Sequence, residues 1–269
     1  MFVLTRNIEK SLTLQTKNIH TIVGDLDSDY DIQALIPTNA HIYYFAPPPS
    51  SGEQDSRLRT FLTKLDKTNL PEAIVYISTT GVYGDPGHNQ VTNEDTPTQP
   101  KLDRGKRRLD AEQQLLKWNK QFPQTRTIIL RVAGIYGPDK LPIERIKRQD
   151  PILDPSEPSY VNLIHIEDLA QACFQAMRHG KPGEAYNVCD GHPILMTHYI
   201  QAIVEAFKLP QPPVISMKEA EQKLSPGFLS YLKESRRIDN QKMLKELGIE
   251  LRHPLALDAI KVIAPPTNN

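Results

Sequence analysis

Several features are scarce in this chain of 269 residues. It has two cysteines, Cys173 and Cys189, which offer neither a disulfide framework nor metal-ligand spacing. It carries no net charge, since 32 basic residues stand against 32 acidic ones, so nothing draws it toward nucleic acid or an anionic membrane. No apolar run approaches the roughly 20 residues of a membrane span. No basic segment followed by an apolar run and a cleavage site opens the chain, so the expected compartment is the cytoplasm. Glycine is sparse, at 13 residues, and nowhere forms the Gly-x-Gly-x-x-Gly turn that seats a phosphate on a helix N-terminus.

Proline is plentiful, at 23 residues, and marks the joints. Pro47-Pro48-Pro49, the 210–213 run and Pro265-Pro266 interrupt periodic segments and cannot lie in central strands. The last six residues read as a frayed tail. Between the joints, short β-rich runs alternate with amphipathic stretches. The runs are Phe2 to Thr5, Thr21 to Gly24, His41 to Ala46, Ala73 to Thr79, Thr127 to Ala133, Asn162 to Ile164 and Ala185 to Cys189. Most are apolar at consecutive positions, as strands covered on both faces are; Phe2 to Thr5 also reads as buried. Leu58, Phe61, Leu62 and Leu65 fall at i, i+3, i+4 and i+7, as do Ile200, Ile203, Val204 and Phe207, which predicts helices.

This alternation predicts an α/β fold with a Rossmann-like, doubly wound parallel sheet. The core is expected over residues 1–137, continuing through about 161–190. A smaller substrate-binding lobe is expected from 138–160 and 191–269.

Four segments narrow the reading. They are Tyr76-Ile-Ser-Thr-Thr-Gly-Val-Tyr-Gly84, Leu130-Arg-Val-Ala-Gly-Ile-Tyr-Gly-Pro138, Val161-Asn-Leu-Ile-His-Ile-Glu-Asp-Leu169 and Tyr186-Asn-Val-Cys-Asp190. In this order and spacing the chain resembles the extended short-chain dehydrogenase/reductases of the NAD(P)-dependent epimerase/dehydratase type. Phe45-Ala-Pro-Pro48, Arg236-Arg-Ile-Asp-Asn240 and Leu244-Lys-Glu-Leu-Gly248 resemble an atypical branch of that family. The resemblance spans nearly the whole chain but begins at the family's second strand, without its first βα unit.

The resemblance implies a site. Thr79 falls on the catalytic Ser/Thr, whose hydroxyl would bond the reacting oxygen; the plainer reading is a threonine satisfying backbone at a strand end. The family's Tyr-x-x-x-Lys falls on Arg104 and Arg108. Arginine stays protonated and does not act as a general acid or base. Spaced i, i+4, the two repel by a few tenths of a kcal/mol, which an anion between them would reverse; the alternative is a solvated helix start. Cofactor contacts are implied for Thr5 and Arg6, for Asp25 and Leu26 beside the adenine, for Ala46 and Pro47, and for Ala133, Gly134 and Ile135 beside the nicotinamide. Arg6 favours NADP over NAD because an arginine accommodates the 2′-phosphate. Tyr83 and Tyr136 are phenols expected near the cleft, and His165 is either a proton carrier or, with Asp168, a structural pair at a helix start.

Three readings follow. One is an atypical NAD(P)-dependent oxidoreductase or epimerase acting on a small polar or anionic substrate. The second is a non-catalytic nucleotide-binding sensor or scaffold. The third is a truncated product that binds NADP weakly or not at all and whose open sheet edges promote association. A homodimer through the Leu58/Phe61/Leu65 and Leu109/Leu116 stripes is possible, with core packing the alternative.

Overall fold

The computed structural model describes residues 1–28, 36–37, 39–65, 67–87, 90–233 and 235–265; residues 266–269 of the expected tail lie outside them. The chain opens with β1 (Phe2–Thr5), α1 (Ile8–Gln15), β2 (His20–Val23), β3 (His41–Tyr44), α2 (Ser56–Thr63) and β4 (Ala73–Thr79). A 3-10 turn (Thr80–Tyr83), β5 (Val91–Thr92), α3 (Asp103–Gln121), β6 (Arg126–Val132), β7 (Gly134–Tyr136), α4 (Ile143–Lys147) and β8 (Ile152–Leu153) follow. Next come β9 (Tyr160–Val161), β10 (Leu163–His165), α5 (Ile166–His179), β11 (Ala185–Val188), β12 (Ile194–Leu195) and α6 (Met196–Phe207). The chain closes with β13 (Val214–Ile215), α7 (Met217–Lys223), α8 (Pro226–Lys233), β14 (Arg237–Ile238), α9 (Gln241–Leu247) and α10 (Ala256–Ile263).

The central sheet has four parallel strands in the order β11-β6-β4-β3. Its middle strands are apolar at successive positions because each face has its own cover. Val75, Ile128 and Leu130 join Leu169, Ala172 and Met177 of α5 and Met243 and Leu247 of α9 in one core. On the opposite face Ile74, Tyr76 and Ile129 pack with Leu58, Phe61 and Leu62 of α2 and Ala111, Leu115 and Trp118 of α3. Strand periodicity of two sends alternate residues to the two cores, which is the doubly wound arrangement. The Leu58/Phe61/Leu65 stripe is buried in the chain's own core, so core packing accounts for it without a second copy.

Among the described residues β1 pairs in parallel with β2 alone, and β3 with β4 alone. Phe2 is 62% exposed and the rest of β1 only half-buried, which corrects the expectation of a buried first strand. A two-stranded ladder leaves an edge open, and α1 packs mainly along β2. Asn7 starts α1 by accepting the Lys10 N–H at 2.8 Å, and Asp55 starts α2 by accepting the Leu58 N–H at 3.0 Å, each satisfying a helix donor with no partner of its own.

A third core gathers Tyr136, Ile146, Ile152, Leu153, Val161 and Leu163 with Tyr199, Ile200 and Ile203 of α6 and Ile260 of α10. It lies among the elements that follow β6. No described helix is long and apolar enough to cross a membrane.

Candidate functional site

β4 ends at Thr79, and the chain turns at once into the 3-10 segment. Thr79 Oγ1 accepts the Gly81 N–H at 3.1 Å, so the hydroxyl caps the turn and keeps its own proton to donate. Close packing fixes the turn on both sides. A Cβ on Gly105 of α3 would sit 2.9 Å from the Gly81 carbonyl oxygen, and one on Gly84 (φ +70°) would sit 2.1 Å from that of Gln99. Only glycine permits both approaches. The Arg236 guanidinium donates to the Gly84 carbonyl and ties the turn to the C-terminal segment.

The two arginines on α3 have different fates. Arg108 Nη1 donates to the Ile77 carbonyl at 2.7 Å and to the Tyr76 hydroxyl at 3.1 Å, with the guanidinium 5.6 Å from the Tyr76 ring centre. Arg104, one turn earlier, is exposed. The structure therefore directs Arg108 onto β4 and leaves Arg104 at the surface.

Below the turn lies a buried polar network that the sequence reading did not identify. Arg131 of β6 and Glu112 of α3 form an ion pair, with Nη2 and Oε2 2.8 Å apart. Ser78 donates to the other Glu112 oxygen. Arg131 Nη1 donates to the Tyr83 hydroxyl at 2.9 Å, which in turn donates to Asn187 Oδ1 at 2.7 Å. Burial disfavours the Arg131 charge, but the Glu112 hydrogen bonds and charge outweigh it and raise the pKa above the ordinary arginine value. The available signal was Arg131 itself, a charge in the apolar run Ile128 to Val132 that had to find a partner. Tyr83, expected near the cleft, is 2% exposed, and burial pushes its phenol up to about 12. Its hydroxyl is committed to the network. Tyr136 is also fully buried, and burial raises its phenol well above the usual value.

His165 is 4% exposed and accepts the Glu167 N–H through Nδ1 at 3.3 Å at the start of α5. Asp168, fully buried, accepts the backbone N–H groups of Arg252 and His253 at 2.8 and 3.0 Å. Both residues therefore serve a helix start and its neighbouring loop.

The residues expected to meet a dinucleotide collect at strand ends. Arg6, after β1, lies 3.7 Å from Asp25, after β2. Asp27 accepts from Arg57 of α2, which also donates to the Pro47 carbonyl. That hydrogen bond holds the Asp27 carboxyl below its usual range. Thr5 accepts the Asn7 N–H at 3.2 Å, and Leu26 and Ala46 pack against the α2/α3 core. At the other end, Ala133 donates its N–H to the Val188 carbonyl at 3.0 Å, Gly134 is exposed and Ile135 is 40% exposed. The arginine, carboxylate and exposed strand ends suit the two extremities of a nicotinamide dinucleotide. Among the described residues no glycine-rich helix start offers N–H groups to its pyrophosphate.

The NAD dependent epimerase/dehydratase family model matches residues 52–189, and the chain belongs to that family. It is similar to Protein YeeZ of Escherichia coli K12, with 28% identity over 86% of this chain and 75% of that protein. Among solved structures it is similar to a functionally unknown conserved protein from Silicibacter pomeroyi DSS, at 26% identity and a TM-score of 0.78 over 97% of this chain and 88% of the other. It also shares its fold with the dTDP-glucose 4,6-dehydratase of Bacillus anthracis in complex with NAD, at 18% identity and a TM-score of 0.75 over 96% and 83% of the two chains.

Proposed function

We propose that this chain is a nicotinamide dinucleotide-binding member of its family that senses or scaffolds, and does not run proton transfer through a Tyr–Lys pair. The observation that carries this reading is Arg108. Its guanidinium is bonded to the Ile77 carbonyl and the Tyr76 hydroxyl, and arginine keeps its proton at any working pH. The Tyr76, Tyr83 and Tyr136 side chains are buried, so none presents a phenol to a substrate. Support for the ligand comes from Arg6, Asp25 and Pro47 at adjoining strand ends, and from the NAD held by the Bacillus anthracis dehydratase on the same fold. Arg6 is the group that would prefer a 2′-phosphate, which makes NADP the favoured form.

A second reading, an oxidoreductase or epimerase acting on a small polar or anionic substrate, is favoured by one observation. The Thr79 hydroxyl lies at a strand end with its proton uncommitted to the capping bond, so it can donate to a substrate oxygen.

Calorimetry of the full chain with NADPH and NADH, followed by assays of NADPH consumption with carbonyl substrates, separates the readings. Saturable binding without turnover supports the first, and Arg6→Glu should then weaken NADPH more than NADH. Turnover abolished by Thr79→Ala moves the assignment to the second. Failure of both nucleotides to bind overturns both readings.

A further inference from the structure

The start of α5 and the segment before α10 bring together three metal-ligating side chains far apart in sequence. His165, Glu167 and His253 each present one ligand atom, and all three atoms lie within 4.8 Å of one another. Glu167 Oε2 is already 3.1 Å from His253 Nε2, and the two imidazole rings lie against each other with centroids 3.7 Å apart at 42°. Glu167 and His253 lie outside the Thr79 turn and the strand-end residues, and His165 serves as the cap of α5.

The surroundings hold this group in place. Asp168 lies beneath, fully buried, and fixes the backbone of Arg252 and His253 through two N–H···O bonds. The Tyr136 ring meets the edge of His165 at 5.1 Å. Gly137 packs tightly on Ile166, since a Cβ there would stand 2.8 Å from its side chain, and that Cβ would make only ordinary contact with His165 Nε2 at 3.8 Å. The Glu167 N–H bond to His165 Nδ1 is long, at 3.3 Å.

We propose that His165, Glu167 and His253 bind a divalent transition-metal ion of the zinc type. Two imidazoles and one carboxylate suit Zn²⁺, Ni²⁺ or Cu²⁺, whereas Mg²⁺ and Ca²⁺ prefer an all-oxygen shell. Three ligands leave a fourth position open to water. Metal–ligand bonds of about 2.0–2.2 Å in a tetrahedron place ligand atoms about 3.3–3.6 Å apart, so separations of at most 4.8 Å shorten by no more than about 1.5 Å, while the Glu167–His253 pair opens slightly from 3.1 Å. His165 is fixed by burial. The exposed Glu167 side chain and the partly exposed His253 ring make the movement. The bound ion then links the α5 start to the segment leading into α10.

The test uses the full chain, treated with a chelator and titrated with Zn²⁺ in a calorimeter and with Co²⁺ by visible absorption. One equivalent binds, Co²⁺ develops d–d bands showing nitrogen and oxygen ligands, and Zn²⁺ raises the melting temperature where Mg²⁺ does not. Glu167→Ala and His253→Ala each weaken binding by more than about tenfold, at or beyond the loss typical of an outer-shell partner. These two side chains reach the surface and carry the test, because replacing the buried His165 would also disturb the start of α5. Absence of saturable binding, or Zn²⁺ affinity unchanged in both variants, overturns the proposal. The second result assigns the metal to other surface histidines.

Discussion

Arg131 and Glu112 form an ion pair inside the protein, their charged atoms 2.8 Å apart and their side chains only 11% and 2% exposed. The pair joins β6 to α3 directly below the turn that carries Thr79. Glu112 also accepts from Ser78 of β4, and Arg131 also donates to Tyr83, so two strands, a helix and the 3-10 turn depend on one arrangement of charge. Removing one partner strands the other in a medium that solvates it poorly.

Glu112→Ala should therefore destabilise the protein by about 3–5 kcal/mol. Urea denaturation measures it, and the double variant Glu112→Leu/Arg131→Met should lose far less than the two single losses combined. Additive losses would show that the pair is not coupled.

Arg108→Met removes the donor to the Ile77 carbonyl and the Tyr76 hydroxyl and should cost about 1–3 kcal/mol. Arg104→Met, at an exposed position, should cost less than Arg108→Met, because interactions of solvated side chains are worth little. Equal effects in thermal melts would mean that the two arginines are not divided between β4 and the surface.

Gly84 and Gly52 both hold a positive φ, near +70° and +78°, but a side chain at Gly84 would meet the Gln99 backbone whereas one at Gly52 meets open space. Gly52→Ala should cost about 1–2 kcal/mol from conformation alone. Gly84→Ala should cost about 1–3 kcal/mol more from overpacking. Chemical denaturation of the two variants side by side decides the matter.

Asp190 is 3% exposed, and burial pushes its carboxyl up to about 7. The unfolded chain releases this proton near the ordinary value of about 3.9, while the folded protein holds it to about 7. Between those values the folded state binds more protons, so this group makes stability fall as pH rises and level off above the folded pKa. The loss attributable to Asp190 is up to about 4 kcal/mol. Asp190→Asn should flatten that decline in denaturation curves taken from pH 4 to pH 8. An unchanged slope would show that Asp190 already ionises as an ordinary carboxyl does.

Local pattern alone located most of the elements. Ala73 to Thr79 reads as a strand because its apolar residues are consecutive, and it forms β4 over those residues. The i, i+3, i+4, i+7 stripe at Ile200 lies on α6, while of the stripe at Leu58 the first three residues lie on α2 and Leu65 falls two residues past its end; the four motif segments carry the family. Each of these signals is carried by neighbours in sequence, through the strand period of two or the helix period of 3.6.

Only the tertiary structure could decide the rest, because it depends on partners brought together across the chain. The sequence shows Arg104 and Arg108 as a matched pair on one helical face; folding places the second against the Ile77 carbonyl and leaves the first exposed. Tyr83 reads as a phenol near a cleft, and packing gives its hydroxyl to Arg131 and Asn187. Phe2 to Thr5 has the composition of a buried strand, but composition cannot count neighbours, and with β2 its one strand partner among the described residues it remains half in solvent. His253 lies 88 positions beyond His165 in the chain, and no local period links them. The buried carboxylate of Asp168 does so by holding the loop that places one imidazole against the other.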